Sequence, residues 1–308
     1  MINKKRNDSK VAIIVKTYLR DGFIQRLVHS INEHFPLSYK LYIGDEKPLS
    51  VSKNELYKKL ENNGHYIEIF EEPKPFPVGV ARNRLYARTN KEPYILRLDD
   101  DYIFTEETNI NNMLLLLNYS RSAGAVSGFE KEQTTVNDNK HNINNYQQGY
   151  FYKKDTSIYK FSIPIDFWHW RYYKNVRFQV VDFTSNFLLI KKEVLEKQKW
   201  NEELLFRGEH TDFMLDLKKN GWLLMLTPDS IHVHDESGID KKEEYKYEVS
   251  VDTKISKKIH DKILMNKWGI KNKKRINLKT NILDNKYFTT INKIKKKVHK
   301  IIRKIIRK

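Results

Sequence analysis

The chain has 308 residues, of which 39% are hydrophobic and 31% are charged, and its mean hydropathy is -0.70. This length allows one large domain or two small ones, and 12% aromatic residues is too rich for a disordered chain. No run of 18 apolar residues occurs, which excludes a transmembrane helix, and the lack of cysteine excludes disulfides and thiolate chemistry. Only five apolar residues follow the N-terminal ten, too few for a signal peptide, so we expect a cytoplasmic protein.

The net charge of +18 is concentrated at one end of the chain. Residues 240–308 contain 23 Lys and Arg against 7 Asp and Glu, whereas the first 239 residues contain 34 against 32. The sequence therefore predicts a near-neutral body at 1–240 and a basic extension at 241–308.

The body alternates short apolar runs with amphipathic segments. Strands are predicted at 11–15, 41–43, 66–70, 94–98, 187–190, 222–226 and 230–234, and helices at about 23–31, at 79–90, from 192 and from 209. This alternation indicates an α/β fold with a mainly parallel sheet and helices on both faces. Ligands bind beyond the carboxyl ends of such strands, and Thr17, Asp45 and the run Asp99-Asp100-Asp101 follow three of them.

The acidic run at 99–101 is the strongest chemical signal in the sequence. Three adjacent carboxylates repel one another, so an ordered run needs a cation, and oxygen ligands suit Mg²⁺ or Mn²⁺. Asp99 and Asp101 point to the same side if the chain stays extended. The alternative is a solvated turn or a helix start, where Asp is also favoured; the position at the end of a strand favours the metal site.

Two further groups carry titratable side chains. His232 and His234 lie two apart on a predicted strand, and neutral imidazoles can bind Mn²⁺, although each histidine can equally be satisfied by hydrogen bonds. Glu209 and Asp212 lie three apart at a helix start, where a carboxylate acts either as a cap or as a general base. Arg82, just before the acidic strand, suits a phosphate group.

In this order and spacing, the features resemble the GT-A nucleotide-sugar glycosyltransferases of family 2. The resemblance covers about residues 11–236. Within the family, the sequence is most similar in character to ganglioside-type β-1,4-N-acetylgalactosaminyltransferases and bacterial surface-polysaccharide relatives. It rests on the first strand ending in Thr17, Gly-Val-Ala-Arg-Asn at 79–83, Leu98 to Asp101, the sequence 208–213, and Pro228 to His234.

The resemblance implies a GT-A, Rossmann-like fold and a set of site residues. It implies that Asp99 and Asp101 bind Mn²⁺ or Mg²⁺ together with His234 or His232. It places the general base at Glu209 or Asp212, because His210 stands where the family's Asp often stands. The implied contacts to the nucleotide-sugar are Thr17, Asp45 at the nucleobase, Arg82, Asp99 and Asp100.

The implied reaction transfers a sugar, most simply from a UDP-sugar, to a glycan or lipid-linked glycan hydroxyl with inversion at the anomeric carbon. The implied setting is bacterial lipopolysaccharide or capsule synthesis. Substrate choice is expected to depend on a polar, mobile loop at 131–150 and on the aromatic cluster at 167–173.

The basic extension ends in an amphipathic pattern at 287–308, with isoleucines and a valine on one helical face and Lys and Arg on the other. This pattern is typical of a helix that lies on an anionic membrane, so we expect attachment to the cytoplasmic face of the cell membrane. A solvated helix and a disordered tail are the plainer alternatives. Nucleic acid is not expected as a partner, because the extension has few aromatics for stacking.

Two other functions fit parts of the sequence. A non-catalytic nucleic-acid or membrane adaptor would use the basic extension alone and leave the acidic run as a turn. A sugar nucleotidyltransferase would share the fold and the metal, but the sequence has no glycine-rich phosphate loop.

Overall fold

The computed structural model describes residues 9–71, 76–133, 142–143, 148–163, 169–205, 208–235, 237 and 253–277. The strands are β1 (Val11–Lys16), β2 (Tyr39–Glu46), β3 (Tyr66–Phe70), β4 (Tyr94–Asp99), β5 (Tyr102–Ile103), β6 (Ala123–Gln133), β7 (Asn142–Ile143), β8 (Gly149–Lys154), β9 (Ser157–Ser162), β10 (Arg171–Tyr173), β11 (Val176–Val181), β12 (Leu188–Lys191), β13 (Leu223–Asp235) and β14 (Asn272–Asn277). The helices are α1 (Asp21–His34), α2 (Val51–Asn62), α3 (Val78–Arg88), α4 (Ile110–Leu117), α5 (Lys192–Lys197), α6 (Glu209–Lys219) and α7 (Thr253–Trp268).

A large mixed sheet forms the centre of the protein, in the order β10-β11-β13-β6-β12-β4-β1-β2-β3, with β5 and β7 paired to β13 and β6. The four strands β4, β1, β2 and β3 are parallel, as the alternation of strands and helices predicted. The other half is mixed, because β12 runs antiparallel to both β4 and β6 while β13 runs parallel to β6. The predicted α/β class is confirmed.

The sheet is buried on both faces, which explains why β1 is apolar throughout. Val11, Ile13 and Val15 pack into a core cluster with α1 and α4, whereas Ala12 and Ile14 pack into a second cluster with α3 and α6. Successive side chains of a strand point to opposite faces, so a strand between two helix layers must be apolar at every position.

The two strands predicted at 222–226 and 230–234 form one long strand, β13. Its register against β6 shifts between Thr227 and Ile231, so the strand bends there without ending. The bend lets the far end of β13 pair with β5, opposite the acidic run.

A smaller sheet, in the order β14-β9-β8, lies beside the main one. Its outermost strand comes from residues 272–277, which pair in parallel with β9. The helix before it, α7, contacts α6 through Lys267 and Trp268, which both hydrogen-bond Asp212. The predicted boundary at residue 240 therefore does not separate residues 253–277 from the body.

Several sequence predictions fall outside the described residues. These are most of the loop predicted at 131–150, the first two residues of the aromatic cluster at 167–173, and the amphipathic segment 287–308. Among the helices that the structure describes, none combines the length and the apolar character needed to cross a membrane.

Candidate active site

The acidic run lies where the carboxyl ends of β1 and β4 meet. The two strands are parallel with Lys16 opposite Asp99, so the residues that follow each strand are neighbours. Thr17, after β1, donates a hydrogen bond from Oγ1 to Asp100 Oδ2 at 2.6 Å. The predicted placement of these two residues at one sheet edge is confirmed.

Each carboxylate of the run has its own set of partners. Asp99 accepts from Arg82 Nη2 at 2.7 Å and from Asn186 Nδ2 at 2.7 Å. The guanidinium of Arg20 bridges the other two, contacting Asp100 Oδ1 at 2.9 Å and Asp101 Oδ2 at 3.0 Å. The chain turns at residues 100 and 101 and does not stay extended, so the three side chains separate.

Arginines offset much of the charge of this run. Burial by itself would raise the pKa of Asp99, but Arg97 and Arg82 hold it well below its usual value. Burial also raises the pKa of Asp100, which Arg20 and Thr17 only partly counter. Asp99 is therefore ionised at every physiological pH, and it is fixed in place by its arginine partners.

Asp101 is the member of the run that retains an unused ligand atom. Its Oδ1 is buried and has no hydrogen-bond partner, while its Oδ2 lies 3.4 Å from His234 Nε2 as well as contacting Arg20. The pairing of β13 with β5 sets His234 opposite Tyr102, the residue after Asp101. A buried carboxylate oxygen without a partner is costly unless a ligand satisfies it.

His232 belongs to the core. It is completely buried, its ring stacks on Phe187 with centroids 4.2 Å apart, and its Nε2 lies 3.1 Å from Ser185 Oγ. Burial lowers its pKa well below the usual value, so the imidazole is neutral. Of the two histidines predicted as alternative metal ligands, His234 is the one that contacts Asp101, and metal binding by either histidine stays a prediction.

The N-terminus of α6 carries the second half of the site. Gly208 begins the helix from a left-handed conformation, φ +84°, and Glu209 follows it with 3% of its surface exposed. Glu209 Oε1 lies 3.0 Å from His210 Nε2 and 3.5 Å from Arg82 Nη1, whereas its Oε2 is buried without a partner. Burial would raise the pKa of Glu209, but His210, Arg82 and Arg97 together lower it to about 2.

Asp212, the other predicted base, uses both of its carboxylate oxygens in hydrogen bonds to α7. It is 1% exposed, its Oδ2 accepts from Lys267 Nζ at 2.8 Å, and its Oδ1 accepts from Trp268 Nε1 at 2.7 Å. Both oxygens therefore hold α7 against α6. Which of Glu209 and Asp212 is the base stays a prediction.

Three of the residues predicted to contact the nucleotide are internal. Thr17, Asp45 and Arg82 are at most 2% exposed. Asp45 Oδ2 accepts from Lys53 Nζ at 2.8 Å and from Tyr57 OH at 2.6 Å, which ties α2 to the end of β2. Arg82 joins Asp99 to Glu209 and so links the two halves of the site. Direct contact of these three residues with a nucleotide stays a prediction.

Three residues of the site were not predicted from the sequence: Arg20, Arg97 and Asn186. Arg97 contacts His210 Nδ1 and donates to the Asn186 backbone carbonyl at 2.7 Å, and Asn186 in turn contacts His210 Nε2. A signal existed for Arg97, because an arginine inside a buried strand requires polar partners. Asn186 lies just before β12, and no spacing in the sequence connects it to Asp99.

Comparison with known proteins identifies the family. The model of glycosyl transferase family 2 matches residues 12–181, more than half of the chain, and the protein belongs to this family. The matched segment contains the acidic run and ends before α6. No curated protein matches the chain by sequence.

Solved structures of two glycosyltransferases share the fold. Residues 1–349 of TarS from S. aureus align with a TM-score of 0.50 and 14% identity over 73% of this chain, and full TarS with 0.51 and 14% over 77%. GalNAc-T7, crystallised with UDP, GalNAc and Mn²⁺, aligns with 0.54 and 14% over 74%. The chain spans 60%, 38% and 44% of those proteins respectively. The predicted GT-A fold is confirmed.

Proposed function

We propose that this protein is a metal-dependent, inverting glycosyltransferase that moves a sugar from a nucleotide-sugar to a hydroxyl of a glycan acceptor. Family membership and the GT-A fold support the general activity. The observation that carries the proposal is that Asp101 Oδ1, after β4, and Glu209 Oε2, at the start of α6, are buried and have no hydrogen-bond partner; Glu46 Oε2, at the end of β2, is a third such carboxylate oxygen among the described residues. Unsatisfied buried oxygens are costly, and those of Asp101 and Glu209 each match a step of this reaction.

Asp101 and His234 would hold the divalent cation. A carboxylate oxygen with a free lone pair beside an imidazole nitrogen is a donor set that suits Mn²⁺ or Mg²⁺, with substrate phosphates filling the other positions. Among the described residues no three His, Asp or Glu side chains converge on one point, so the diphosphate of the substrate would have to complete the site. When bound, the cation neutralises charge that develops on the diphosphate leaving group.

Glu209 would remove the proton from the acceptor hydroxyl. The hydroxyl oxygen then bonds to the anomeric carbon, the bond from that carbon to the diphosphate oxygen breaks, and the proton passes to Glu209 Oε2. Because its pKa is about 2, Glu209 is ionised at any working pH, and proton transfer accompanies formation of the new bond. Arg82, which contacts both Glu209 and Asp99, would hold the base in a fixed position relative to the acidic run that binds the nucleotide-sugar.

The finer assignments extend this proposal. The donor is most simply a UDP-sugar, consistent with the UDP in the GalNAc-T7 structure. The acceptor would be a glycan or a lipid-linked glycan in bacterial lipopolysaccharide or capsule synthesis. The segment 287–308 would attach the enzyme to the cytoplasmic face of the membrane through its basic, amphipathic pattern.

Thermal unfolding with UDP, GDP, CMP and ADP, each with and without Mn²⁺, tests the proposal. A ligand that binds only the folded state raises the unfolding midpoint. At a hundredfold excess over its Kd it adds about 2.7 kcal/mol to the free energy of unfolding. We expect a shift with UDP that requires Mn²⁺ and disappears in Asp101→Asn. Glu55→Gln, an exposed carboxylate on α2, is the matched control and keeps the shift.

The same experiment separates the other functions. A Mn²⁺-dependent shift with a different nucleotide would keep the chemistry and change the donor. Release of pyrophosphate from a nucleoside triphosphate and a sugar phosphate would indicate a nucleotidyltransferase. No shift with any nucleotide would refute the metal site and favour an adaptor that acts through the basic extension.

A further inference from the structure

The smaller sheet carries a row of aromatic side chains that the proposed reaction does not use. Tyr152 on β8 lies directly opposite Tyr159 on β9, and Phe161 is two residues further along, so the three share one face of the sheet. Their ring centroids are 6.1 to 6.5 Å apart and all three side chains are partly exposed. We call these three residues the aromatic strip.

Lysines flank the aromatic strip on both sides. Lys274 on β14 is opposite Tyr159 and its Nζ lies 5.8 Å from the centre of that ring, while Lys154 lies two residues beyond Tyr152. The segments 149–163 and 271–275 together contain seven Lys and Arg and one carboxylate, Asp155. Residues 271–275 are all exposed, so this charge faces solvent and would attract an anionic partner.

One lysine of this sheet is held without a carboxylate partner among the described residues. Lys160 lies over the ring of Phe183, with its Nζ 4.2 Å from the ring centre. Burial and the nearby Arg275 lower the pKa of Lys160 to about 8. Successive side chains of a strand point to opposite faces, so Lys160 faces Phe183 on the side of the sheet away from the aromatic strip and is not part of it.

Backbone hydrogen bonds at the start of β8 join the smaller sheet to Phe183, which lies close in sequence to Asn186 of the candidate active site. Gly149, at the start of β8, exchanges hydrogen bonds with Phe183, with N–O distances of 3.1 and 3.3 Å. A Cβ at this position would lie 1.8 Å from the Phe161 carbonyl oxygen, so only glycine permits the approach. Three residues after Phe183, Asn186 donates to Asp99.

We infer that the aromatic strip, with Lys154 and Lys274, binds an acidic glycan chain and holds it for transfer. Tyr and Phe rings cover the apolar faces of sugar rings, and the lysines pair with carboxylate or phosphate groups along the chain. This inference rests on the proposed function and specifies its acceptor as an anionic glycan. A single-stranded nucleic acid could also stack on such rings, and its binding is therefore measured as a competing outcome.

Fluorescence anisotropy of the full chain with a labelled oligogalacturonate tests the inference, with a neutral maltooligosaccharide and poly(U) as comparison probes. Because the basic extension attracts any polyanion, variants are compared within pairs of equal charge. Tyr159→Ala is paired with Tyr172→Ala, which is 67% exposed on β10, and Lys274→Ala is paired with Lys58→Ala on α2.

We expect Tyr159→Ala and Lys274→Ala each to weaken oligogalacturonate binding about three- to tenfold, while both control variants stay within twofold of the wild type. Equal losses within each pair, or tighter strip-dependent binding of poly(U), would overturn the inference. Lys274 is exposed, so its variant still gives an answer if Tyr159→Ala fails to fold.

The outcome is independent of the nucleotide experiment, because no donor or metal is present. Binding that depends on the aromatic strip without any Mn²⁺-dependent nucleotide shift would refute the proposed function and leave the glycan site standing. A nucleotide shift with no effect of either strip variant would refute the glycan site alone.

Discussion

The Nε2 of His234 lies 3.4 Å from the Oδ2 of Asp101, although the two residues come from distant parts of the chain. The long strand β13 makes this contact possible, because its bend directs the far end toward β5 and the acidic run. The arrangement has a direct consequence for metal binding.

Asp101→Asn and His234→Ala should each weaken Mn²⁺ binding in the presence of UDP about 10- to 100-fold, since the first removes the negative charge of the carboxylate and the second removes the imidazole nitrogen. Free Mn²⁺ measured by electron paramagnetic resonance gives the affinity. His232→Ala is the discriminating comparison: it should lower the free energy of unfolding, because its ring is stacked in the core, and leave Mn²⁺ affinity near the wild-type value. A larger effect of His232→Ala on Mn²⁺ would contradict the assignment.

Glu209→Gln and Asp212→Asn should separate catalysis from stability. The first should lower kcat about 10²-fold or more with little change in donor KM, because it removes the base. The second should instead lower the free energy of unfolding by about 1–3 kcal/mol, because it weakens the bonds to Lys267 and Trp268. Steady-state kinetics and urea unfolding on both variants provide the test, and the reverse pattern would make Asp212 the base.

The pKa of Glu209 predicts how stability changes in acid. Its folded pKa of about 2 lies below the usual 4.5, so the group contributes stability above pH 4.5 that is lost as pH falls toward 2. The full contribution is about 3 kcal/mol. Between pH 6 and pH 3 the wild type should therefore lose more stability in urea unfolding than Glu209→Gln does. Parallel losses would show that the carboxylate is not held by its cationic neighbours.

Gly149→Ala should disturb the smaller sheet, because the new Cβ would meet the Phe161 carbonyl oxygen at 1.8 Å. We expect a loss of about 3 kcal/mol or more in the free energy of unfolding. Gly22→Ala in α1 is the control, since its Cβ would contact only the flexible end of Arg26 and alanine favours a helix. A tolerated Gly149→Ala would mean that Gly149 does not approach the Phe161 carbonyl oxygen as closely as described.

The strands and helices that were predicted have a clear local pattern, whereas α2, α4, β6 and the strands of the smaller sheet were not predicted. The continuous apolar run at β1, the helical spacing of α1, and the glycine before α6 all appear where the sequence places them. The mixed half of the sheet was not predictable in this way, since β12 shows the same apolar run whichever direction it pairs. Strand direction depends on contacts between distant segments, which local periodicity does not contain.

The same distinction between local sequence and long-range contacts applies to the candidate site. The sequence by itself determined the chemical groups: the acidic run after a buried strand, the carboxylates at the start of α6, and the histidines near the last strand. Only the tertiary structure decided their surroundings. In the structure, His232 stacks on Phe187 in the core and Asp212 hydrogen-bonds to α7. Asp101 Oδ1 and Glu209 Oε2 have no hydrogen-bond partner. A residue's type fixes what it can bind, whereas packing against distant segments fixes which of its atoms remain free to do so.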